Sequence, residues 1–178
     1  MDAQQQRSVI AMELRRLSSS LPPSYRDRFT SELVQAIADS LLDKTVFSII
    51  ESLHDMQQMT ERNLYQSRQD RTAALEAQRR DLATRNQPLF TSQYGNSYSN
   101  AAGDSSNPEL ARFDECTKEE LRKIDMRIIM DLDQQIVQQQ MTLERAGVPG
   151  FAVTNKAEDI RMQMYILDFI NKIQARLQ

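Results

Sequence analysis

The side chains able to do chemistry in this 178-residue chain are few and scattered. The only histidine, His54, follows Leu53 in a stretch that reads as helix and lies off its apolar stripe. Proton-transfer sites need a histidine or paired carboxylates in a dry pocket. His54 reads instead as a surface or boundary residue. The only cysteine, Cys116, sits among Asp114, Glu115 and Glu119, whose negative charge disfavours a thiolate nucleophile. One cysteine and one histidine exclude the usual ligand sets of a tetrahedral metal site within a single chain. Asp131, Asp133 and Glu144 are dispersed along a helix rather than gathered into a calcium loop. Gly147-Val148-Pro149-Gly150 has no Gly-Lys-Ser/Thr after it and no strand before it, so it reads as a helix stop, not a phosphate loop. Arg62, Arg68, Arg71, Arg79, Arg80 and Arg85 interleave with Glu61, Asp70, Glu76 and Asp81. That is the pattern of a solvated coiled-coil face rather than of a nucleic-acid site. Gln134, Gln135, Gln138, Gln139 and Gln140 read as a polar helix face, with a second interface as the alternative. No catalytic residue, cofactor or metal ligand is expected.

With no chemistry to position, the elements themselves carry the information. All four glycines and all five prolines fall in three short stretches: Pro22-Pro23, then Pro88 to Pro108, then Gly147 to Gly150. Glycine and proline cost about 1 and 3 kcal/mol inside a helix relative to alanine, so their exclusion elsewhere is what long helices require. Ile10, Leu14, Leu17 and Leu21 mark a first amphipathic helix that Pro22-Pro23 ends. Thr30 or Ser31 caps a second, bearing Leu33, Val34, Ile37 and Leu41. Asp43-Lys44-Thr45 is either a bend or part of a continuous helix. From Val46 the apolar pattern is dense as far as Leu64, then thins to Leu75 and Leu82. Residues 88–107 have a linker's composition and are expected to be mobile; Tyr94 and Tyr98 lie there. Asn107-Pro108 starts another helix, Gly147 stops it, and Asn155 with Glu158 resembles a capping box opening the last. That last helix is apolar over most of its circumference, as a central or interface helix is.

Bulk composition narrows the class. A hydrophobic fraction of 40% with only 6% aromatics describes a lean core of Leu, Ile and Met. A net charge of −3 supplies no general attraction to nucleic acid or anionic lipid. No apolar run approaches the ~20 residues needed to span a bilayer, so no membrane insertion is expected. The lone cysteine and the polar, glutamine-rich start point to an intracellular, soluble protein.

Leucines recur every eleven residues at Leu42, Leu53, Leu64 and Leu75, and again at Leu110, Leu121, Leu132 and Leu143. Eleven residues fall about 20° past three turns, so each ladder stays on one face. Folding the two ladders antiparallel about the linker pairs Leu53 with Leu143, Leu64 with Leu132 and Leu75 with Leu121 in one register. A parallel homodimer pairing each ladder with its own copy is the alternative. The expected fold is therefore all-α: an elongated antiparallel long-helix hairpin, a coiled-coil-like arm, with a small helical head. The head is formed by the N-terminal helices and the C-terminal helix. The chain divides into 1–87 (N-terminal helices and first arm helix), linker 88–107, second arm helix 108–147, and turn with packing helix 148–178, as one structural domain. The candidate helix-packing interface comprises Leu53, Leu64, Leu75, Leu121, Leu132, Leu143, Ile166, Phe169 and Ile173.

Two segments carry a family resemblance. One runs from Leu41-Leu42-Asp43-Lys44-Thr45-Val46 to Met59-Thr60-Glu61-Arg62-Asn63-Leu64-Tyr65. The other includes Leu143-Glu144-Arg145-Ala146-Gly147-Val148-Pro149-Gly150-Phe151 and continues into Ile170-Asn171-Lys172-Ile173. Together they resemble the gonadal protein family, which includes the vertebrate DiGeorge-syndrome-critical-region protein. The resemblance implies no enzyme activity. It implies a small coiled-coil-type protein tied to gonadal or germ-line expression and development, often nuclear, with the cytoplasm as the other compartment. The function expected is a helical adaptor or complex subunit whose partners are other helical proteins. The alternative is a nuclear regulator acting directly or indirectly on nucleic acid, although the interleaved charges argue against direct binding.

Overall fold

Among the described residues, helices begin or end beside Pro22-Pro23, Pro108 and Gly147, and one further break falls at Lys44 without glycine or proline. The computed structural model describes residues 2–85 and 107–177. Among these residues there are six helices and no strand: α1 (Ala3–Ser18), α2 (Pro23–Arg26), α3 (Ser31–Ser40), α4 (Thr45–Arg85), α5 (Pro108–Arg145) and α6 (Ala157–Leu177). The all-α class read from the sequence holds. The expected linker, with Tyr94 and Tyr98, lies outside the described residues except for Asn107.

Local chemistry explains the helix boundaries. Thr30 Oγ1 accepts from the Leu33 N–H at 3.3 Å, capping α3. At 43–45 the chain breaks: Lys44 takes a left-handed φ of 64°, and the Thr45 N–H donates to Asp43 Oδ1 at 3.0 Å. α3 and α4 are therefore separate helices. Asn107 Oδ1 accepts from the Glu109 N–H at 3.0 Å and starts α5 at Pro108. At the far end Gly147 has φ 74°; its N–H bonds Glu144 O at 3.0 Å while the Val148 N–H bonds Leu143 O at 3.0 Å. This crossed pair is a Schellman stop, and the apolar residues it brings together, Leu143 and Val148, are both buried. The start of α6 differs from expectation. Ala157, not a residue following an Asn155 cap, is its first helical position, and Thr154 Oγ1 accepts from the Lys156 N–H at 3.2 Å. The reason lies in Thr154, whose backbone N–H and C=O are both held by Gln140, so its hydroxyl is the one placed for the turn.

The helices form two compact units, one of Met1–Met59 with Asp133–Gln178 and one of Thr60–Leu132, so that α4 and α5 each contribute to both. In the first unit, α1 packs Ile10, Leu14 and Leu17 into the same cluster as Val34 and Ile37 of α3 and Leu41 just after it. Ile166, Phe169, Ile170 and Ile173 of α6 complete it. Phe29 meets Phe169 with ring centroids 5.3 Å apart, and Tyr25 meets Tyr165 edge-on at the same separation. Arg28 with Asp159, and Arg176 with Glu13, tie the rim of this core with contacts of 2.6 Å.

The second unit is built differently. Among its described residues only Leu75 and Leu110 are buried apolar side chains. Three arginines of α4 instead reach acids of α5. Arg68 forks onto Asp125 (Nε–Oδ1 2.5 Å, Nη2–Oδ2 3.1 Å), and Arg79 onto Asp114 (2.7 and 3.1 Å). Arg71 Nε bonds Glu120 Oε1 at 2.6 Å. Arg68 and Arg79 are eleven residues apart, as are Asp114 and Asp125, so the ion pairs repeat with the period of the leucine ladders.

Candidate functional site

The first unit has an open groove of about 410 Å³ between α5 and α6, lined by Ile136, Gln139, Phe151, Met164, Leu167 and Asn171 among others. A smaller recess of about 70 Å³ reaches Ile50, Leu53 and His54 and shares Gln57, Gln139 and Leu143 with the groove. Its walls are fixed from below by an amide clamp. Gln140 and Gln163 are 3% and 5% exposed, and Gln140 Nε2 donates to Gln163 Oε1 at 3.0 Å. Gln163 Nε2 donates to Ala152 O at 2.8 Å, while Gln140 Nε2 and Oε1 bond Thr154 O and N, each at 3.2 Å. Buried amides with all these partners hold the 152–154 strap against both helices and carry no charge to be desolvated. Gly150 lets the strap approach closely: its φ is 87°, and a Cβ there would lie 2.6 Å from Ile166 Cδ1.

Apolar atoms are left at the surface above this frame. Ile136 is 42% exposed and Met164 63% exposed. Gln57 and Gln139 bridge α4 and α5 at 3.1 Å and form the polar edge. The groove thus pairs an apolar rim with a few amides.

A separate apolar stripe lies on α5. Met126, Ile129 and Met130 are exposed at helical spacing, on the side away from Leu121, Ile124 and Ile128. Arg122 and Lys123 precede it and Asp133 follows it, all exposed.

The residues singled out for chemistry stay apart. His54 is exposed, its Nε2 2.8 Å from Gln58 Nε2, and Cys116 is exposed and unbridged. Among the described residues no group of three His, Cys, Asp or Glu side chains could hold a metal ion, and no helix is long and apolar enough to cross a membrane. Of the expected packing residues, Ile166, Phe169 and Ile173 lie in the first unit's core with Leu143, and Leu53 packs against its edge. Leu75 is buried in the second unit, where Leu64, Leu121 and Leu132 are half-buried.

Arg68, Arg71 and Arg79 of α4 are engaged by Asp125, Glu120 and Asp114 of α5. The hydrogen bond from Arg68 holds the Asp125 carboxyl below the usual aspartate range, and that from Arg79 does the same for Asp114. Sequence reasoning missed these pairs and the amide clamp. The signal for the clamp was position: Gln140 stands three residues before Leu143, and Gln163 three before Ile166, on faces otherwise apolar.

Comparison with known proteins places the chain among relatives along its whole length. The family described as DiGeorge syndrome critical region 6 (DGCR6) protein matches residues 1–178. Protein DGCR6 of Gallus gallus is 31% identical over 175 residues, an alignment covering 92% of this chain and 82% of that protein. Gonadal protein gdl of Drosophila melanogaster is 30% identical over 161 residues, covering 90% of this chain and 76% of that one. No solved structure matches.

Proposed function

The chain belongs to the DiGeorge syndrome critical region 6 (DGCR6) protein family, and from that premise we propose that it is a non-enzymatic helical adaptor or complex subunit. The observation that carries this reading is the groove of the first unit. It is held open by a rigid amide clamp, and its rim leaves Ile136 and Met164 in water. Its occupant in this proposal is an amphipathic helix of another protein, working inside the cell, in nucleus or cytoplasm, in gonadal or developing tissue. The name of the fly relative supports the gonadal part of that setting alone. Engagement of Arg68, Arg71 and Arg79 by acids favours this reading over direct contact with nucleic acid.

The same proposal makes the second unit an antiparallel hairpin of α4 and α5. Partner numbers fall on α5 (125, 120, 114) as they rise on α4 (68, 71, 79), which supports that sense. Affinity capture from native tissue tests the adaptor. The intact chain should recover a stoichiometric partner, and the double variant Ile136→Glu with Met164→Glu should lose it while keeping its helicity. Recovery of no stoichiometric partner, or equal recovery by the variant, would overturn the reading. For the hairpin, Leu64→Cys with Leu132→Cys in a Cys116→Ser background should be bridged within one chain by a short bismaleimide. Bridging only between chains would sink it.

A further inference from the structure

We propose that Ser19 is a phosphorylation site for a protein kinase that selects arginine, and that Arg15 and Arg16 hold the phosphate on the folded chain. The site lies wholly within the first unit and depends on neither the groove nor the hairpin. The run Leu14-Arg15-Arg16-Leu17-Ser18-Ser19-Ser20-Leu21 places arginines three and four residues before Ser19. Kinases of this class dock the peptide through carboxylates that grip guanidinium groups ahead of the acceptor with charge-assisted hydrogen bonds.

The fold selects among the three serines. Ser18 is 8% exposed, and its hydroxyl donates to Arg15 O at 3.0 Å inside the last turn of α1. A phosphate there would have to be buried with its charge, which is costly. Ser20 stands one residue further from both arginines, and its hydroxyl donates to Leu17 O at 2.7 Å. Ser19 is exposed and directly follows α1, its hydroxyl on Arg16 O at 2.6 Å. A kinase needs this turn opened, and the turn is built to open. The Ser20 and Leu21 N–H groups make tight single-turn bonds to Leu17 O and Ser18 O at 3.2 and 3.1 Å, the kind of helix end that frays first. Leu17 and Leu21, both buried, reseat it afterwards.

In the transfer, Ser19 Oγ attacks the γ-phosphorus of a nucleoside triphosphate. The Oγ–P bond forms as the bond to the bridging oxygen breaks, the nucleoside diphosphate leaves, and the hydroxyl proton passes to the kinase's carboxylate base. Residues three and four apart share a helix face, so the phosphate lies over Arg16 and Arg15. Arg15 Nη2 has a contact of 3.4 Å with Ser31 Oγ, a weak hold. Arg16 is forked onto Glu13 at 2.7 and 3.0 Å, and Glu13 also takes Arg176 of α6 at 2.6 Å. The phosphate draws Arg16 away and leaves Glu13 to Arg176, so the tie between α1 and α6 survives. Arginines in a helix's last turn also offset its dipole. That role alone needs no serine after them and takes up no phosphoryl group.

The full chain, incubated with ATP and the catalytic subunit of cyclic-AMP-dependent kinase and mapped by mass spectrometry, tests this. A single phosphoryl group should appear, at Ser19. Ser19→Ala should abolish it, whereas Ser18→Ala and Ser20→Ala should leave it in place. Arg16→Ala should slow incorporation by about tenfold or more, and Arg16→Lys should recover part of the rate. The phosphorylated chain should keep its helicity and melting, because the Ser19 side chain already faces water. No incorporation under conditions that label a free Leu14–Leu21 peptide would overturn the proposal. So would labelling of the folded chain at Ser18 or Ser20, or a rate indifferent to Arg16→Ala. Helicity lost on phosphorylation would overturn the holding role of Arg15 and Arg16.

Discussion

The two units of this molecule solve the same problem, holding helices together, by different means. In the first, five helices or helix portions share one apolar cluster in which Leu14, Ile37, Leu41, Ile166 and Ile170 are fully removed from water. In the second, two helix portions share little buried apolar surface, and arginine–carboxylate forks recur between them. The physical reason is geometric. A helix with neighbours on several sides can bury a wide face, whereas two helices alone can bury only a narrow stripe each and must leave their flanks wet. Non-directional burial therefore dominates one unit, and directional contacts set the alignment in the other.

The largest test of that contrast is a cavity in the first core. Ile170→Ala should destabilise the first unit by about 2–5 kcal/mol in denaturant unfolding. Leu75→Ala in the second should cost less, about 2 kcal/mol, because one open side lets the site relax. The loss should register in amide exchange of residues 60–85 and 107–132 and leave the first core's protection intact. Equal losses spread over both regions would mean that the units unfold together and that the comparison fails. Gln163→Leu comes next. It strips Gln140 Nε2 and Ala152 O of a partner in a dry setting and should cost about 1–2 kcal/mol, with faster exchange at the Thr154 amide. Gly150→Ala should cost about 1 kcal/mol in melting experiments, from the left-handed φ and the approach of Ile166.

Acid and salt probe the smallest effect. Asp114 and Asp125 are held below their ordinary range by hydrogen bonds from Arg79 and Arg68. A depressed folded value means the contribution is present in full above the unfolded aspartate range, about 4, and is lost as pH falls through the folded value. Amide protection in the second unit should therefore decline below about pH 4 and with added salt, while the uncharged clamp at Gln140 and Gln163 responds to neither. Insensitivity of the second unit to both would remove the ion pairs from its account.

Most helix boundaries were legible because Pro22, Asn107, Pro108 and Gly147 act through their own backbone chemistry, which needs no tertiary context. The break at Lys44 was only half legible. It depends on a non-glycine residue accepting a positive φ, which composition does not announce. The capping of α6 was misread because Thr154 is placed by Gln140, a residue of another helix. The groove was not legible at all. Which glutamine of a polar run is buried and which stays wet is decided by the neighbouring helix, and the run from Gln138 to Gln140 looks uniform until α6 packs on it.

The chain leaves the first unit after Met59 and returns to it at Asp133, so that unit is assembled from two stretches of chain with the whole of the other between them. Closing a loop costs free energy only with the logarithm of its length, about 0.6 kcal/mol per doubling, so lengthening or shortening the interruption should disturb the first core little. Timing is affected more. α1 and α3 leave the ribosome early and can pack Ile10, Leu14 and Ile37 against one another, but the residues that complete their cluster, Ile166 to Ile173, come last. At 5–20 residues per second that interval is on the order of ten seconds. Until α6 emerges that cluster is incomplete, and truncation before α6 should leave its apolar residues without Ile166, Phe169, Ile170 and Ile173 to pack on.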